Sequence, residues 1–202
     1  MFSKAGAHGR PLLRIVVGIA GASGSIYGIR LLEKLRQRSG VETHLILTRA
    51  GEKTLFLETG RLAADVKSLA DFAYSIDDVG CRLASGSFPT DGMVIAACSV
   101  HSMSAIAAGI SSNLLIRAAD VALKERRRLV LMVRESPLHL GHLRTMTALA
   151  EMGAIIAPPM PAFYHQPKSA LDIVDHSVAR VLDLLGLPDP DAKRWDGANA
   201  RD

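Results

Sequence analysis

Arg14-Ile15-Val16-Val17-Gly18-Ile19-Ala20-Gly21-Ala22-Ser23-Gly24-Ser25-Ile26-Tyr27-Gly28 is the stretch on which the fold turns. From Arg14 to Ala20 it is an almost unbroken apolar run, the pattern of a parallel strand buried on both faces. Gly21 to Ser25 form a turn of small residues, after which Ile26, Ile29, Leu32 and Leu35 recur at helical spacing to about Arg38. A buried strand that enters a helix through such a turn opens an α/β sheet whose ligands gather where the strands end.

The alternation continues outward. Residues 42–48, 93–97, 129–133 and 154–157 read as further strands, and 50–59, 62–72, 103–108, 114–126, 138–152 and 170–185 as helices. A polar stretch, 77–91, carries Ser85-Gly86-Ser87, and Pro158-Pro159-Met160-Pro161 imposes an extended connection before the last helix. The pattern predicts one domain over 14–187: a doubly wound, Rossmann-like or flavodoxin-like parallel sheet in a three-layer sandwich. A flexible arm, 1–13, would precede it and a tail, 188–202, would follow.

Composition narrows the function. With 202 residues, 49% of them hydrophobic and 22% charged, the chain can bury one full core. It lacks an uninterrupted apolar run of about eighteen residues, so no membrane span is expected. The opening residues have no apolar h-region of a signal peptide. Cys81 and Cys98 are too few for a disulfide framework and agree with a reducing cytoplasm. A net charge of +4 suits anionic ligands, but aromatics at 4% and the lack of an isolated basic block argue against nucleic acid.

Three segments carry chemistry at the predicted sheet edge. In the first turn, small residues let backbone N–H groups approach a phosphate, and a helix N-terminus adds about 0.3 to 1 kcal/mol for an anion. No Gly-Lys-Ser/Thr follows, the glycine spacing departs from G-x-G-x-x-G, and the second strand ends in Thr48-Arg49 without an acidic residue for an adenosine ribose. FMN therefore fits better than NAD; a turn serving only helix–sheet packing is the competing reading. The second segment, Cys98-Ser99-Val100-His101-Ser102-Met103, places hydroxyls and another helix N-terminus on the same edge, with Cys98 read as a core thiol. The third runs from Lys124-Glu125-Arg126-Arg127-Arg128 through Leu129 to Val133 and delivers Arg134-Glu135, a fixed cation and a proton-transferring group. Arg126 to Arg128 read as a solvated helix end. His139 and His142 have no carboxylate or cysteine at ligand spacing, so no metal site is expected.

Ordered blocks extend these segments: G-A-S-G-S-I-Y-G at 21–28, V-E-T-H-L at 41–45, L-E-T at 57–59, S-G-S-F at 85–88, R-A-A-D-V-A-L-K-E-R at 117–126, R-E-S-P-L-H-L-G-H-L-R at 134–144, P-P-M-P-A-F-Y-H-Q-P at 158–167, and R-W near the end. Through them the chain, from Arg14 to about Gly197, resembles the UbiX-type flavin prenyltransferases. They are a branch of the homo-oligomeric FMN-binding α/β proteins that also include cysteine decarboxylases, whose P-A-S-A-N-T block is absent here. The resemblance implies that the dimethylallyl group of dimethylallyl phosphate is joined to N5 and C6 of reduced FMN. The product, prenylated FMN, would serve UbiD-type decarboxylases of ubiquinone synthesis or aromatic acid breakdown. It also implies a dodecamer.

By the same resemblance, Gly21, Ala22, Ser23, Thr48, Ser99, Val100, His101, Ser102 and Arg134 fall on flavin-contacting positions. Tyr164 and Arg180 fall on prenyl-phosphate positions, with Lys124 and Glu135 beside them, and Glu58 matches another active-site carboxylate. Many relatives carry Ser at Thr48 and Lys-Thr-Leu at His101-Ser102-Met103. Physical chemistry makes these roles reasonable. A five-carbon tail supplies roughly 3 to 4 kcal/mol, about millimolar affinity, so phosphate contacts must do the rest. Lys124, Arg134 and Arg180 each offer a charge-assisted hydrogen bond of roughly 1.5 to 3 kcal/mol, joined by the Tyr164 hydroxyl. Cations there stabilise the departing phosphate most in the transition state, and no metal is called for. Glu135, held next to cations, is placed to take the proton lost from C6. Glu58 either protonates the leaving group or orients Ser23.

The competing readings are plain: Lys124 as a surface helix cation, Arg180 as a helix-end charge, Tyr164 as a core aromatic. Trp195 is expected to dock on a neighbouring subunit. Two other functions stay open, a flavin-dependent aromatic acid decarboxylase and an FMN-carrying accessory subunit without catalysis.

Overall fold

The computed structural model describes residues 12–195 and Gly197. In chain order these form β1 (Leu13–Ile19), α1 (Ser25–Arg36), β2 (Val41–Leu47), α2 (Arg49–Thr59), α3 (Ala63–Lys67), β3 (Phe72–Tyr74), a 3-10 turn (Arg82–Ala84), β4 (Gly92–Cys98), α4 (Val100–Ala107), α5 (Leu114–Lys124), β5 (Arg128–Val133), α6 (Leu140–Glu151), β6 (Ile155–Ile156) and α7 (Ala170–Leu184). Most of the expected flexible arm, residues 1–11, lies outside the described residues, as do Asp196 and 198–202. Among the described residues no helix is long and apolar enough to cross a membrane.

The six strands form one sheet in the order β3-β2-β1-β4-β5-β6, and every pairing is parallel. The chain moves from β1 outward through β2 to β3, then returns to lay β4 against the free side of β1. Alternation within the apolar runs feeds two cores. Ile15, Val17 and Ile19 of β1 pack with Ile29 and Leu32 of α1, Leu55 of α2 and Val178 and Leu182 of α7. Val16 of β1 turns to the other face, with Met93 and Ile95 of β4, Met103 of α4, Leu115 of α5 and Leu149 of α6. Each such fully buried side chain contributes roughly 1.5 to 3 kcal/mol, and because both faces are covered the strands show no polar alternation.

The helix expected at 62–72 is instead the short α3 followed by the edge strand β3. Asp71 decides the difference. Its carboxylate accepts hydrogen bonds from the Thr43 N–H (2.8 Å) and hydroxyl (2.9 Å), and its own N–H donates to the Thr43 hydroxyl oxygen at 3.0 Å. These bonds fasten the segment alongside β2, and a three-residue strand leaves too little periodicity to be read in sequence. Two of the three arginines after α5, Arg127 and Arg128, also differ from a solvated helix end, whereas Arg126 is exposed as expected. Arg127 donates to the carbonyls of Gly86 (2.6 Å) and Phe88 (2.9 Å), while Arg128 donates to the Leu185 carbonyl at 2.8 Å. They clamp loops.

A polar cluster closes the β2–β3 side. The fully buried His44 ring places Nε2 3.0 Å from Glu42 Oε1 and Nδ1 3.1 Å from Tyr74 Oη, and it stacks on Phe72. Desolvation, reinforced by Arg82, outweighs the attraction of Glu42 and pulls the His44 pKa from 6.5 down to about 4. Above pH 6.5 both states hold the ring neutral; below it, the unfolded chain binds a proton that the folded chain refuses until about pH 4. Stability from this site therefore falls as pH drops through that window, by roughly 1 kcal/mol per pH unit. Urea denaturation between pH 6.5 and about 5 is expected to show a shallower decline for His44→Gln than for the native chain; equal slopes would contradict the assignment.

Candidate functional site

Backbone hydrogen bonds carry the sheet past its strand ends. Thr48 N–H donates to the Ile19 carbonyl (3.1 Å), Ala20 N–H to Ala97 (3.3 Å) and Arg134 N–H to Cys98 (3.1 Å). The residues leaving β2, β1, β4 and β5 are thus laced into one edge. Since the chain leaves β1 toward β2 and leaves β4 toward β5, a crevice opens between the first and second turns, at the topological switch point. Gly21, Ala22 and Ser23 lie on one side of it, and Ser99, Val100, His101 and Ser102 on the other.

The local chemistry prepares this edge for a ligand. A Cβ on Gly21 would lie 2.6 Å from the Ala50 Cβ, so only glycine lets the first turn lie against the start of α2. Thr48 caps α2, its Oγ1 accepting from Gly51 N–H at 2.9 Å. Ser99 caps α4, its Oγ accepting from Ser102 N–H at 3.2 Å and its hydroxyl donating to Ser102 Oγ at 3.0 Å. The Thr48 hydroxyl accepts in its cap and keeps its proton for a ligand oxygen. His101 is exposed on the first turn of α4, and Cys98 beneath it is a core thiol whose pKa burial pushes up to about 12. Small backbone, free hydroxyl protons and the Arg134 cation fit a flavin mononucleotide.

The first turn departs from a simple phosphate cradle, because a carboxylate of the chain already fills its helix end. Gly24 caps α1 with φ 101°, a left-handed conformation, and has no side chain to satisfy the exposed N–H groups. Glu58 of α2 supplies the acceptor: its carboxylate takes hydrogen bonds from Gly24 N–H (3.0 Å), Ser25 N–H (3.0 Å) and the Ser25 hydroxyl (2.7 Å). Burial alone would raise the Glu58 pKa, but the hydroxyls of Ser23 and Ser25 and the two backbone donors together hold it below the usual value. A carboxylate so held is a poor acid at neutral pH and a good anchor for Ser23, which favours the orienting role.

The remaining candidates separate into two places. Arg134 and Glu135 follow β5 at the laced edge, both exposed. Glu135 Oε1 accepts from Ser136 N–H at 2.9 Å, and among the described residues no cation of the same chain lies within ion-pair distance of it, contrary to the expected cationic surroundings. Tyr164 and Arg180 do meet, walling a cavity of about 300 Å³ with His176, Asp183, Arg194 and Trp195. Neither edge turn lines that cavity. Trp195 packs against Tyr164 of its own chain, ring centroids 5.8 Å apart, where docking on a neighbour was expected.

Lys124 is the clear displacement. It ends α5, ahead of β5, and pairs with Glu125. The six residues of β5 separate it from Arg134, a span of about 20 Å at roughly 3.3 Å per residue. Within one chain, Lys124 therefore sits at the edge opposite Gly21 to Ser23, beside the Gly86 loop that Arg127 clamps.

Sequence reasoning missed Ser25, His176 and Asp183. His176 and Asp183 stand four before and three after Arg180 on α7, spacings that place all three on one helix face and were legible. Nothing in the sequence signals the contact between Glu58 and Ser25.

A family model described as Flavoprotein matches residues 6–182. The chain is 55% identical to the flavin prenyltransferase UbiX of Thauera aromatica over 190 residues, 94% of this chain and 97% of that one. It superposes with TM-score 0.90 and 48% identity on a dodecameric FMN-dependent UbiX-like decarboxylase from Escherichia coli O157:H7, covering 92% of this chain and 100% of the other. It also superposes with TM-score 0.90 and 45% identity on AnUbiX in complex with FMN and dimethylallyl pyrophosphate, covering 93% and 99%.

Glu58→Ala strips the acceptor from the start of α1 and is expected to lower the unfolding free energy by about 1 to 2 kcal/mol. Urea denaturation measures it, and an unshifted midpoint would show that the carboxylate does not hold the turn.

Proposed function

Because the chain belongs to the UbiX-type flavin prenyltransferase family, we propose that it transfers the dimethylallyl group of dimethylallyl phosphate to N5 and C6 of reduced FMN. The observation that carries this reading is the laced edge, where two small-residue turns and Arg134 converge at the switch point of a sheet. Reduced FMN supplies the nucleophilic N5 and C6. The chain's own residues do the rest. Backbone N–H groups of Gly21 to Ser23 and the hydroxyl of Thr48 hold the flavin's polar groups, and Ser99 to Ser102 close the opposite side of the crevice. Arg134, Arg180, Lys124 and the Tyr164 hydroxyl hold the donor phosphate, whose negative charge grows as its carbon–oxygen bond breaks, so their attraction is greatest in the transition state. The Glu135 carboxylate takes the proton released at C6, and Glu58 keeps Ser23 in place.

This division needs more than one copy of the chain, for Lys124 lies at the far end of β5 and the Tyr164–Arg180 cavity stands apart from the edge turns. Support comes from the dodecameric relative and from large apolar side chains left exposed, Phe56 and Leu57 on α2 and Leu140 and Leu143 on α6. We place the site between subunits of a homo-oligomer, a dodecamer, in the reducing cytoplasm, where the free Cys81 and Cys98 persist. Prenylated FMN is then handed to a UbiD-type decarboxylase. The E. coli O157:H7 relative, an FMN-dependent UbiX-like decarboxylase, also keeps a direct decarboxylase in view.

Anaerobic incubation with reduced FMN and dimethylallyl phosphate, with the pyrophosphate in parallel, is expected to yield a flavin heavier by one prenyl unit. An unchanged flavin mass in mass spectrometry would defeat the proposal, and carbon dioxide released from an aromatic acid by the protein alone would favour the decarboxylase. Lys124→Ala and Arg134→Ala proteins should each be nearly inactive, whereas subunits of the two, unfolded together and reassembled, should regain part of the activity. No recovery would place both residues in one subunit's site.

A further inference from the structure

The Tyr164 hydroxyl does not face its cavity unassisted: its oxygen lies 2.7 Å from Nε2 of His176. The two rings meet edge to face at 5.4 Å. His165 stacks nearly parallel on the face of the His176 ring, centroids 4.4 Å apart and planes 8° apart, which holds the plane in which Nε2 points. His176 stands on α7 one turn before Arg180, with Ala179 between them, so one rigid helix sets both the imidazole and the guanidinium against the same cavity.

We infer that His176 is a positioning residue for Tyr164, donating Nε2–H to the phenol oxygen and thereby turning the phenol proton toward the phosphate of the prenyl donor. The inference rests on the reading that Tyr164 and Arg180 hold that phosphate. A phenol has a single proton. Spent on His176, it would leave only lone pairs facing a phosphate, a repulsive arrangement. Received from His176, the hydrogen bond leaves the phenol free to donate to the anion and makes it a stronger donor. The cavity's other groups agree with an anionic occupant, since Arg180, Lys193 and Arg194 line it. Asp183 is engaged by Arg180 at 2.6 Å and by Arg194 at 2.7 and 2.8 Å, so the one carboxylate on that wall is already neutralised. Desolvation, together with His165 and Arg180, keeps His176 below its ordinary pKa, so the ring is neutral near pH 7 and carries the one N–H that the arrangement requires.

Steady-state kinetics on the full-length protein with reduced FMN test this. Tyr164→Phe and His176→Leu should each lower kcat/KM for dimethylallyl phosphate roughly tenfold, leave the Kd for FMN unchanged, and show no further loss when combined. His176→Gln, whose carboxamide can donate the same hydrogen bond, should stay close to the native value. Native kcat/KM for His176→Leu beside an impaired Tyr164→Phe, or fully additive losses in the double variant, would overturn the role of His176 alone. If Tyr164→Phe behaved as the native enzyme, the donor-site reading would fall and this inference with it. A poor His176→Gln with full FMN affinity would also count against the hydrogen-bond role.

Discussion

The parallel pairing of β1 with β4 is the constraint on which the rest depends. It sets Ile15 beside Gly92 and Gly18 beside Ile95, 77 positions apart in the chain, and so delivers residues distant in sequence to one sheet edge. With β2 on the far side of β1 and β5 on the far side of β4, the two turns diverge and leave a crevice between them. Hydrogen bonds that continue beyond the strands, from Thr48, Ala20 and Arg134, stiffen that edge. Positioning of this kind is what catalysis by cations and hydroxyls requires, since misplacement costs more than any one contact supplies.

Electrostatics at the helix ends are settled inside the protein before a ligand arrives. Glu58 satisfies the start of α1, Thr48 the start of α2 and Ser99 the start of α4. A bound flavin would therefore meet ordered hydroxyls and backbone in place of bare helix poles. The carboxylate at α1 also explains how Gly24 can serve as a cap with no side chain: the acceptor comes from a helix more than thirty residues later, so the turn and α2 are fixed relative to each other.

The cations tell a different story, for β5 carries them at opposite ends. Arg134 leaves the strand at the laced edge, while Lys124 precedes it beside a loop held by Arg127. His176, Arg180 and Asp183 of α7, with Tyr164 from the connection before it, form a third locality. Separate cationic localities on one chain, together with exposed apolar side chains on α2 and α6, are what the proposed site between subunits would draw together.

The parallel sheet was legible in the apolar runs at 14–20, 93–97 and 129–133, because strands buried on both faces need continuous hydrophobicity that the sequence displays directly. The edge turns were legible for the same reason: small and hydroxylated residues cluster where those runs stop. The pairing of Asp71 with Thr43, which turns an expected helix into β3, depends on two segments meeting in space, and local periodicity carries no trace of it. So too for Glu58, whose residue type announced chemistry but whose role was fixed by the N–H groups it reached. Lys124 and Arg134, ten positions apart and seemingly one cluster, were separated by the length of a strand. Sequence by itself determined which segments would be buried and which residue types would gather at an edge, since solvation acts on each residue locally; tertiary structure decided which of them face one another, since that depends on strand order and on the direction in which each element runs.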